Sequence, residues 1–215
     1  MNFARTKQNQ LGDDGKEGRT YQAVLGGQSV AVKTFKSTKS TTKIEREAHF
    51  QQLCAHAGVA PVVHAVNTDE KFIVMCKLHS LPAVMYKKSS MPDDLQYMIC
   101  ALMGRMDKVG VLHGDMNALN VMCDKHDRPY MIDFGFAKKI SSKMSEKYKG
   151  HPNVKVSLWG LIRGFKRYKV GVNLLADCVA AEDPGEYFER GEELLKKFET
   201  CPTSKKSKKS KKRKR

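Results

Sequence analysis

His113-Gly114-Asp115-Met116-Asn117-Ala118-Leu119-Asn120 and, further on, Ile132-Asp133-Phe134-Gly135 are the stretches on which the fold turns. The first fits the pattern H-x-D-x-x-x-x-N and the second is D-F-G. Their aspartates lie 18 positions apart, which leaves room for a short hairpin. Two such motifs, in this order and at this distance, are more than a chance pair of polar turns.

Outward from them, residues 20–25 (TYQAVL) and 29–35 (SVAVKTF) predict two strands around Gly26-Gly27. A helix is expected from Thr42, with Glu45 at capping-box spacing and Ile44, Ala48 and Gln51 on one side. VVHAVNT and KFIVMCKL predict two more strands. A second helix is expected near Ser90–Asp93, burying Leu95, Met98, Ile99, Leu102, Met106 and Val109. Short strands are expected around 111–112, 119–122 and 130–132. From Val154 onward VSLWGLIRGF, VNLLADCVAA and EYFERGEELLKKF are helical in pattern, with Trp159 expected in the core. Strands, a helix, strands and then mostly helices imply an α+β protein with a sheet-rich N-lobe and a helical C-lobe.

With the two motifs in place, the chain resembles the protein-kinase superfamily from Leu11 to Phe136. The resemblance implies a two-lobed kinase-like fold with a small antiparallel-sheet N-lobe and a shortened, mostly helical C-lobe. The expected division is a flexible N-terminus (1–10), N-lobe (11–79), C-lobe (80–203) and disordered basic tail (204–215). It also implies ATP and Mg²⁺ as ligands. Phosphoryl transfer is mostly positioning and charge neutralisation. Asp115 is expected to accept or orient the substrate hydroxyl proton. Asn120 and Asp133 are expected to hold Mg²⁺, a hard cation that takes oxygen ligands. His113 is expected to pack within the loop rather than act as a base.

Ala31-Val32-Lys33 resembles the V-A-I-K element, which implies that Lys33 contacts the α/β-phosphates and pairs with a helix glutamate. Glu47, fourteen residues on, is the favoured partner; Glu45 is the alternative but already has a capping task. Leu11–Tyr21 resembles a phosphate-covering loop. Gly15 and Gly18 keep the later glycine spacing, whereas Gly12 lies one residue too far away for G-x-G-x-x-G. Asp13 and Asp14 at its tip are an odd lining for a phosphate cradle. Phe72–Leu78 corresponds to the last N-lobe strand and hinge. By resemblance Met75 is the gatekeeper, and backbone groups of Cys76 and Leu78 meet adenine.

Three departures qualify the likeness. The loop reads HGD, with Asn117 and Leu119 where protein kinases place Lys or Arg. HGD is similar to the small kinase of the KEOPS tRNA-modification complex and to aminoglycoside phosphotransferases. No A-P-E follows D-F-G, so a long activation loop is not expected. Only 68 residues separate Gly135 from the basic tail, and Lys155 stands five before Gly160, where kinases carry Asp. The compact C-lobe and basic C-terminus resemble KEOPS-type kinases and the reduced kinases of large DNA viruses.

Composition bounds the rest. The 215 residues hold 39 Lys+Arg against 23 Asp+Glu, a net +16. Nine of those cations lie in Ser204–Arg215 (SKKSKKSKKRKR), leaving 30 Lys/Arg against 23 acids, a net +7, elsewhere. Such a block is solvated and unable to fold on itself. Lys205–Arg215 is expected to meet a nucleic acid or an import receptor, or simply to solubilise the chain. Six scattered cysteines without a CxxC pair point to a reducing compartment. No apolar run nears the roughly 18 residues of a membrane helix, and MNFARTKQNQ is not a secretory signal. An intracellular protein is expected, with the tail favouring nucleus over cytoplasm and no membrane partner.

Ala4-Arg5-Thr6-Lys7-Gln8 repeats the start of the histone H3 tail. Mimicry is one reading; a coincidence of polar residues is the plainer one, because Met1-Asn2-Phe3 block the free alanine amine that tail readers need. Ser141, Ser142, Ser145 and Tyr148 read equally as autophosphorylation sites or as a solvated loop.

The expected function is Mg²⁺- and ATP-dependent phosphoryl transfer to serine/threonine hydroxyls of a protein substrate, basic or chromatin-associated. The rivals are a small-molecule phosphotransferase of aminoglycoside or choline type, a KEOPS-like ATPase switch, and a pseudokinase binding module.

Overall fold

A computed structural model describes residues 3–81 and 90–199. The basic tail and Cys201 lie outside the described residues. The first half is a four-stranded antiparallel sheet of β1 (Gly18–Leu25), β2 (Gln28–Phe35), β3 (Val63–Asn67) and β4 (Phe72–Cys76). The strand order is β1-β2-β4-β3. Gly26 and Gly27 both adopt positive φ (58° and 79°), which makes the two-residue hairpin between β1 and β2 possible.

Alternation along β2 sends Ala31, Lys33 and Phe35 to one face and Val30 and Val32 to the other. The first face packs on α1 (Thr41–His56), where Ile44, Glu47, Ala48, Gln51 and Cys54 form the buried stripe. The second face gathers Ala23, Val30, Val32, Phe72 and Val74, with Phe3 against it. The Phe3 ring meets Phe72 edge-on at 5.7 Å. Residues 3–10, within the stretch read as an N-terminal tail, include a 3₁₀ turn at Lys7–Asn9.

The second half is helical. α2 (Asp93–Lys108) runs through its middle, with ten buried residues. Around it lie β5 (His79–Ser80), β6 (Val111–Leu112), β7 (Val121–Cys123), β8 (Pro129–Met131) and β9 (Lys138–Lys139). Then come α3 (Ser142–Lys147), a π-helical turn at Asn153–Leu158, α4 (Trp159–Arg167), α5 (Asn173–Ala180) and α6 (Gly185–Glu199). β5-β7-β8 form a small sheet, and β6 pairs with β9. α6 crosses α2 on glycine: a Cβ on Gly191 would stand 2.1 Å from the Tyr97 carbonyl oxygen. Arg105 locks the crossing by a two-pronged bond to Glu192 (2.8 and 2.5 Å). The fold is thus the expected α+β, two-lobed, kinase-like arrangement with a compact helical C-lobe.

Four local readings change. Neither Ser40 before α1 nor Pro92 before α2 makes a side-chain cap, so the capping-box reading of Thr42/Glu45 fails. Residues 118–120 form a 3₁₀ turn, and the strand begins only at Val121. Val109 is 36% exposed because it follows the last turn of α2. Trp159 is 46% exposed, not in the core. The five described cysteines are free thiols. Among the described residues no helix is long and apolar enough to cross a membrane.

Candidate active site

The site lies where β2, α1 and the D-F-G turn converge. Lys33 projects from the α1-facing side of β2. Its Nζ donates to Glu47 Oε1 at 2.6 Å and to Asp133 Oδ1 at 2.8 Å. The sequence favoured Glu47 over Glu45; Glu47 is 1% exposed in the buried stripe of α1, whereas Glu45 is exposed. Burial works against the Lys33 ammonium, yet the Glu47 and Asp133 carboxylates outweigh it and hold its pKa above the usual lysine range. Burial likewise opposes the Asp133 carboxylate, but Lys33 prevails and its pKa falls below the usual value. Asp133 takes a left-handed backbone (φ 64°), which turns the chain into the 3₁₀ turn Phe134–Phe136. Phe134 anchors that turn in the main core.

Two further residues complete the charge array, and no sequence motif announced them. Lys39, 8% exposed, precedes α1; its Nζ donates to Glu47 Oε2 at 2.7 Å and to Glu17 Oε2 at 2.5 Å. It also sits 4.4 Å from the centre of the Phe35 ring, a cation–π contact. Glu17 belongs to the glycine-bearing turn before β1. The carboxylates of Glu17, Glu47 and Asp133 offer oxygens within 4.8 Å of one another, with the two lysines between them.

The catalytic-type loop is held from three sides. Asn120 Nδ2 donates to the Asp115 carbonyl at 2.7 Å. Asn117 Oδ1 caps the 3₁₀ turn by accepting from Leu119 N at 2.9 Å. The Asp115 side chain is left facing solvent. His113 is fully buried, and its Nε2 bonds the Ile132 carbonyl at 2.9 Å, tying the loop to the D-F-G strand. Its ring packs on Phe134 at 4.9 Å, and burial pushes its pKa down. This is the packed role expected of His113.

The loop is tied from below by Asn153, buried at the start of the π-helical turn. Its Oδ1 accepts from His113 N (3.3 Å) and from Ser157 Oγ (3.0 Å). Its Nδ2 donates to the Val111 carbonyl (2.8 Å) and to Asp107 Oδ1 (2.7 Å). Lys155, singled out by its position before Gly160, instead donates to the carbonyls of Val179 and Ala181, both at 2.7 Å.

The glycines of Leu11–Tyr21 have different tasks. Gly12 sits at φ 74° with open space around it. A Cβ on Gly18 would stand 1.8 Å from the Thr34 carbonyl, so strand pairing alone demands glycine there. Gly15 N donates to Gly18 O at 3.0 Å, closing the turn. Asp14 at its tip is engaged by Arg19 (2.8 and 2.6 Å), which holds its carboxyl below the usual range. On the opposite wall Ala31 pairs with Met75, and both are buried. Cys76 N already donates to the Val62 carbonyl at 2.9 Å, so that N–H is not free for a ligand. Leu78 is buried just beyond it.

This donor set suits a magnesium polyphosphate: hard oxygen donors on Asp133 and Asn120 beside the half-buried Lys33 ammonium. The rotamer of Asn120 leaves its carboxamide oxygen as the acceptor end, because Nδ2 is spent on Asp115.

The chain is similar in sequence to several known proteins. The protein kinase domain family model matches residues 5–156. The hormonally up-regulated neu tumor-associated kinase of Homo sapiens is 24% identical over 128 residues, covering 53% of this chain and 18% of that protein. Its homolog A in Xenopus laevis is 23% identical over the same shares. A probable bifunctional tRNA threonylcarbamoyladenosine biosynthesis protein of Methanocaldococcus jannaschii is 31% identical over 98 residues, 45% of this chain and 18% of that protein. The chain therefore matches less than a fifth of the length of these relatives.

Proposed function

The chain belongs to the protein kinase family, and from that footing we propose that it transfers the γ-phosphoryl group of MgATP to serine or threonine hydroxyls of a protein. Bound MgATP would supply the phosphoryl group and part of the charge neutralisation. The chain's own groups would do the positioning. Lys33, fixed by Glu47, presents an ammonium to the phosphates, while Asp133 and Asn120 present oxygens to the metal. Ala31 and Met75 floor the nucleotide site, and Cys76 and Leu78 edge it. Asp115, exposed with its backbone held by Asn120, takes the proton of the acceptor hydroxyl.

One observation carries this reading: Lys33, Glu47 and Asp133, from positions 100 residues apart at the extremes, meet within 2.8 Å of one amine. The same array supports ATP with Mg²⁺ as its ligand. A basic tail of nine cations at Lys205–Arg215 would bring the protein to a nucleic acid or an import receptor, and so to the nucleus.

A second reading, an ATPase switch within a larger complex, is favoured by the His113-Gly114-Asp115 loop and by the 31% match to the archaeal tRNA-biosynthesis protein. One experiment separates them. The full chain is incubated with Mg²⁺ and γ-labelled ATP alone, with mixed proteins, and with an aminoglycoside, beside Asp115→Ala. Label on protein that the substitution abolishes supports the proposal. Label on the aminoglycoside selects the small-molecule reading, and free phosphate without transfer selects the switch. No turnover and no Mg²⁺-dependent nucleotide binding would overturn catalysis altogether.

A further inference from the structure

The net charge of the chain outside the basic tail is not spread evenly. Residues 138–169 hold ten Lys/Arg and a single acid, Glu146. Without this segment and the 204–215 tail, 20 Lys/Arg face 22 Asp/Glu, a net −2. Outside the tail, the net positive charge of the sequence therefore belongs to 32 consecutive residues that begin just after D-F-G.

Those residues flank Asp115. β9 pairs with β6 so that Lys138 lies opposite Leu112 and Lys139 opposite Val111, three and four residues before Asp115. Between them the chain is pressed close: a Cβ on Gly114 would stand 2.3 Å from the Phe136 carbonyl oxygen. From the other direction α4 lies on the same loop. A Cβ on Gly160 would be 2.7 Å from the Met116 carbonyl oxygen, and one on Gly164 would be 2.9 Å from Ala118 N. On α4 the i, i+4 stripe Trp159–Arg163–Arg167 runs beside this glycine stripe, offset by about 100°. Trp159, Arg163, Lys166 and Arg167 are all exposed, as are Lys138 and Lys139. Two other cations of the segment are engaged elsewhere: Lys149 pairs with Glu182, and Lys155 binds two carbonyls.

Resting on the proposed protein-kinase function, we propose that this face reads the acceptor segment, and that the acceptor hydroxyl sits in an acidic stretch of the substrate protein. A segment that runs between β9 and α4 to offer a hydroxyl to Asp115 would meet Lys138, Lys139, Arg163 and Arg167 there. Carboxylates on either side of the hydroxyl complement these cations, and Trp159 offers an apolar wall between them. Basic flanks would be repelled. An acidic substrate is thus favoured over the basic or chromatin-associated one expected from the sequence.

The test uses the full chain, MgATP and three synthetic peptides with one serine each, flanked by Asp/Glu, by Ala/Gly or by Lys/Arg. kcat/KM for the acidic peptide is expected to exceed that for the basic peptide at least tenfold, with the gap narrowing as salt rises. Arg163→Glu/Arg167→Glu is expected to erase or reverse the preference. Arg163→Gln/Arg167→Gln, milder should charge reversal harm folding, is expected to reduce it at least threefold. Nucleotide binding is measured separately by fluorescence. MgATP bound and all three peptides phosphorylated alike would overturn the acidic-substrate inference and leave kinase function standing. Absence of both nucleotide binding and transfer would overturn both. A single-stranded oligonucleotide that binds through the same arginines, with no acidic-peptide preference, would overturn it in favour of a nucleic-acid partner.

Discussion

Lys39 Nζ stands 2.7 Å from Glu47 Oε2, and both residues are buried. Glu47 therefore gives one oxygen to Lys39 and the other to Lys33. With Glu17 at one end and Asp133 at the other, five charges alternate in a line: Glu17, Lys39, Glu47, Lys33, Asp133. A buried carboxylate bonded on both oxygens cannot rotate without stranding one of its partners. Lys33 is thereby held from behind, and the glycine-bearing turn that carries Glu17 is tied to the same glutamate.

Lys39→Met should leave one Glu47 oxygen buried and unpaired. Removing one partner of a buried ion pair costs about 3–5 kcal/mol; Glu47 keeps Lys33, so about 3 kcal/mol is expected. Lys39→Arg should recover part of it. Urea unfolding midpoints check both, and an unchanged midpoint for the methionine variant would mean that the pair contributes nothing in solution. Nucleotide affinity is expected to drop alongside, because the turn bearing Glu17 comes loose.

Asp115→Ala should cut phosphoryl transfer by about 10²–10⁴, the usual worth of a general base. Nucleotide affinity should hardly move, since the Asp115 side chain faces solvent beyond the Lys33 cluster. Asn120→Ala releases the Asp115 carbonyl from its 2.7 Å bond and removes an oxygen donor, so both transfer and Mg²⁺-dependent binding should fall. Single-turnover assays with separate nucleotide titrations distinguish the two variants.

The kinase-like frame and the Lys33–Asp115–Asn120–Asp133 set were legible because short motifs name them. The preference for Glu47 over Glu45 gains its physical reason from the buried stripe of α1, since a glutamate in the middle of that stripe must be paired. Lys39 and Glu17 carry no motif: a lysine before a helix and a glutamate in a turn read as solvated charges until the fold buries them. Asn153 was hidden by the π-helical turn, whose wider spacing breaks the register that Lys155 and Gly160 suggested. Trp159 was misplaced because apolar character alone put it inside. In the fold, Leu161, Ile162 and Phe165 take the core side of α4 and Gly160 and Gly164 the loop side, which turns Trp159 outward.

Asn153→Ala should weaken the loop from below. It strands the Val111 carbonyl and the His113 N–H, each buried group costing about 1–3 kcal/mol. A loss of about 3 kcal/mol in stability is expected. The sharper readout is kinetic: kcat should fall while KM for ATP stays close to wild type, because Asn153 reaches the Asp115 loop but not Lys33. Equal loss in both constants would argue for general unfolding instead.

Asp107 gives the fold a pH dependence opposite to that of most acids. Burial pushes its carboxyl up to about 7, although hydrogen bonds from the Asn153 backbone and side chain pull the other way. Its Oδ2 is buried without a partner. In the unfolded chain the group titrates at the ordinary 3.8. The folded state thus binds the proton more tightly, and the stabilisation is full below pH 3.8 and lost as pH rises through about 7. Above that, a buried carboxylate works against the fold. Asp107→Asn keeps an oxygen for Asn153 and removes the titration. It is expected to match wild type near pH 4 and to exceed it by pH 8, by on the order of 2 kcal/mol after relaxation and water access. Thermal unfolding of both proteins across pH 4–8 checks this; parallel curves would show that Asp107 ionises without cost.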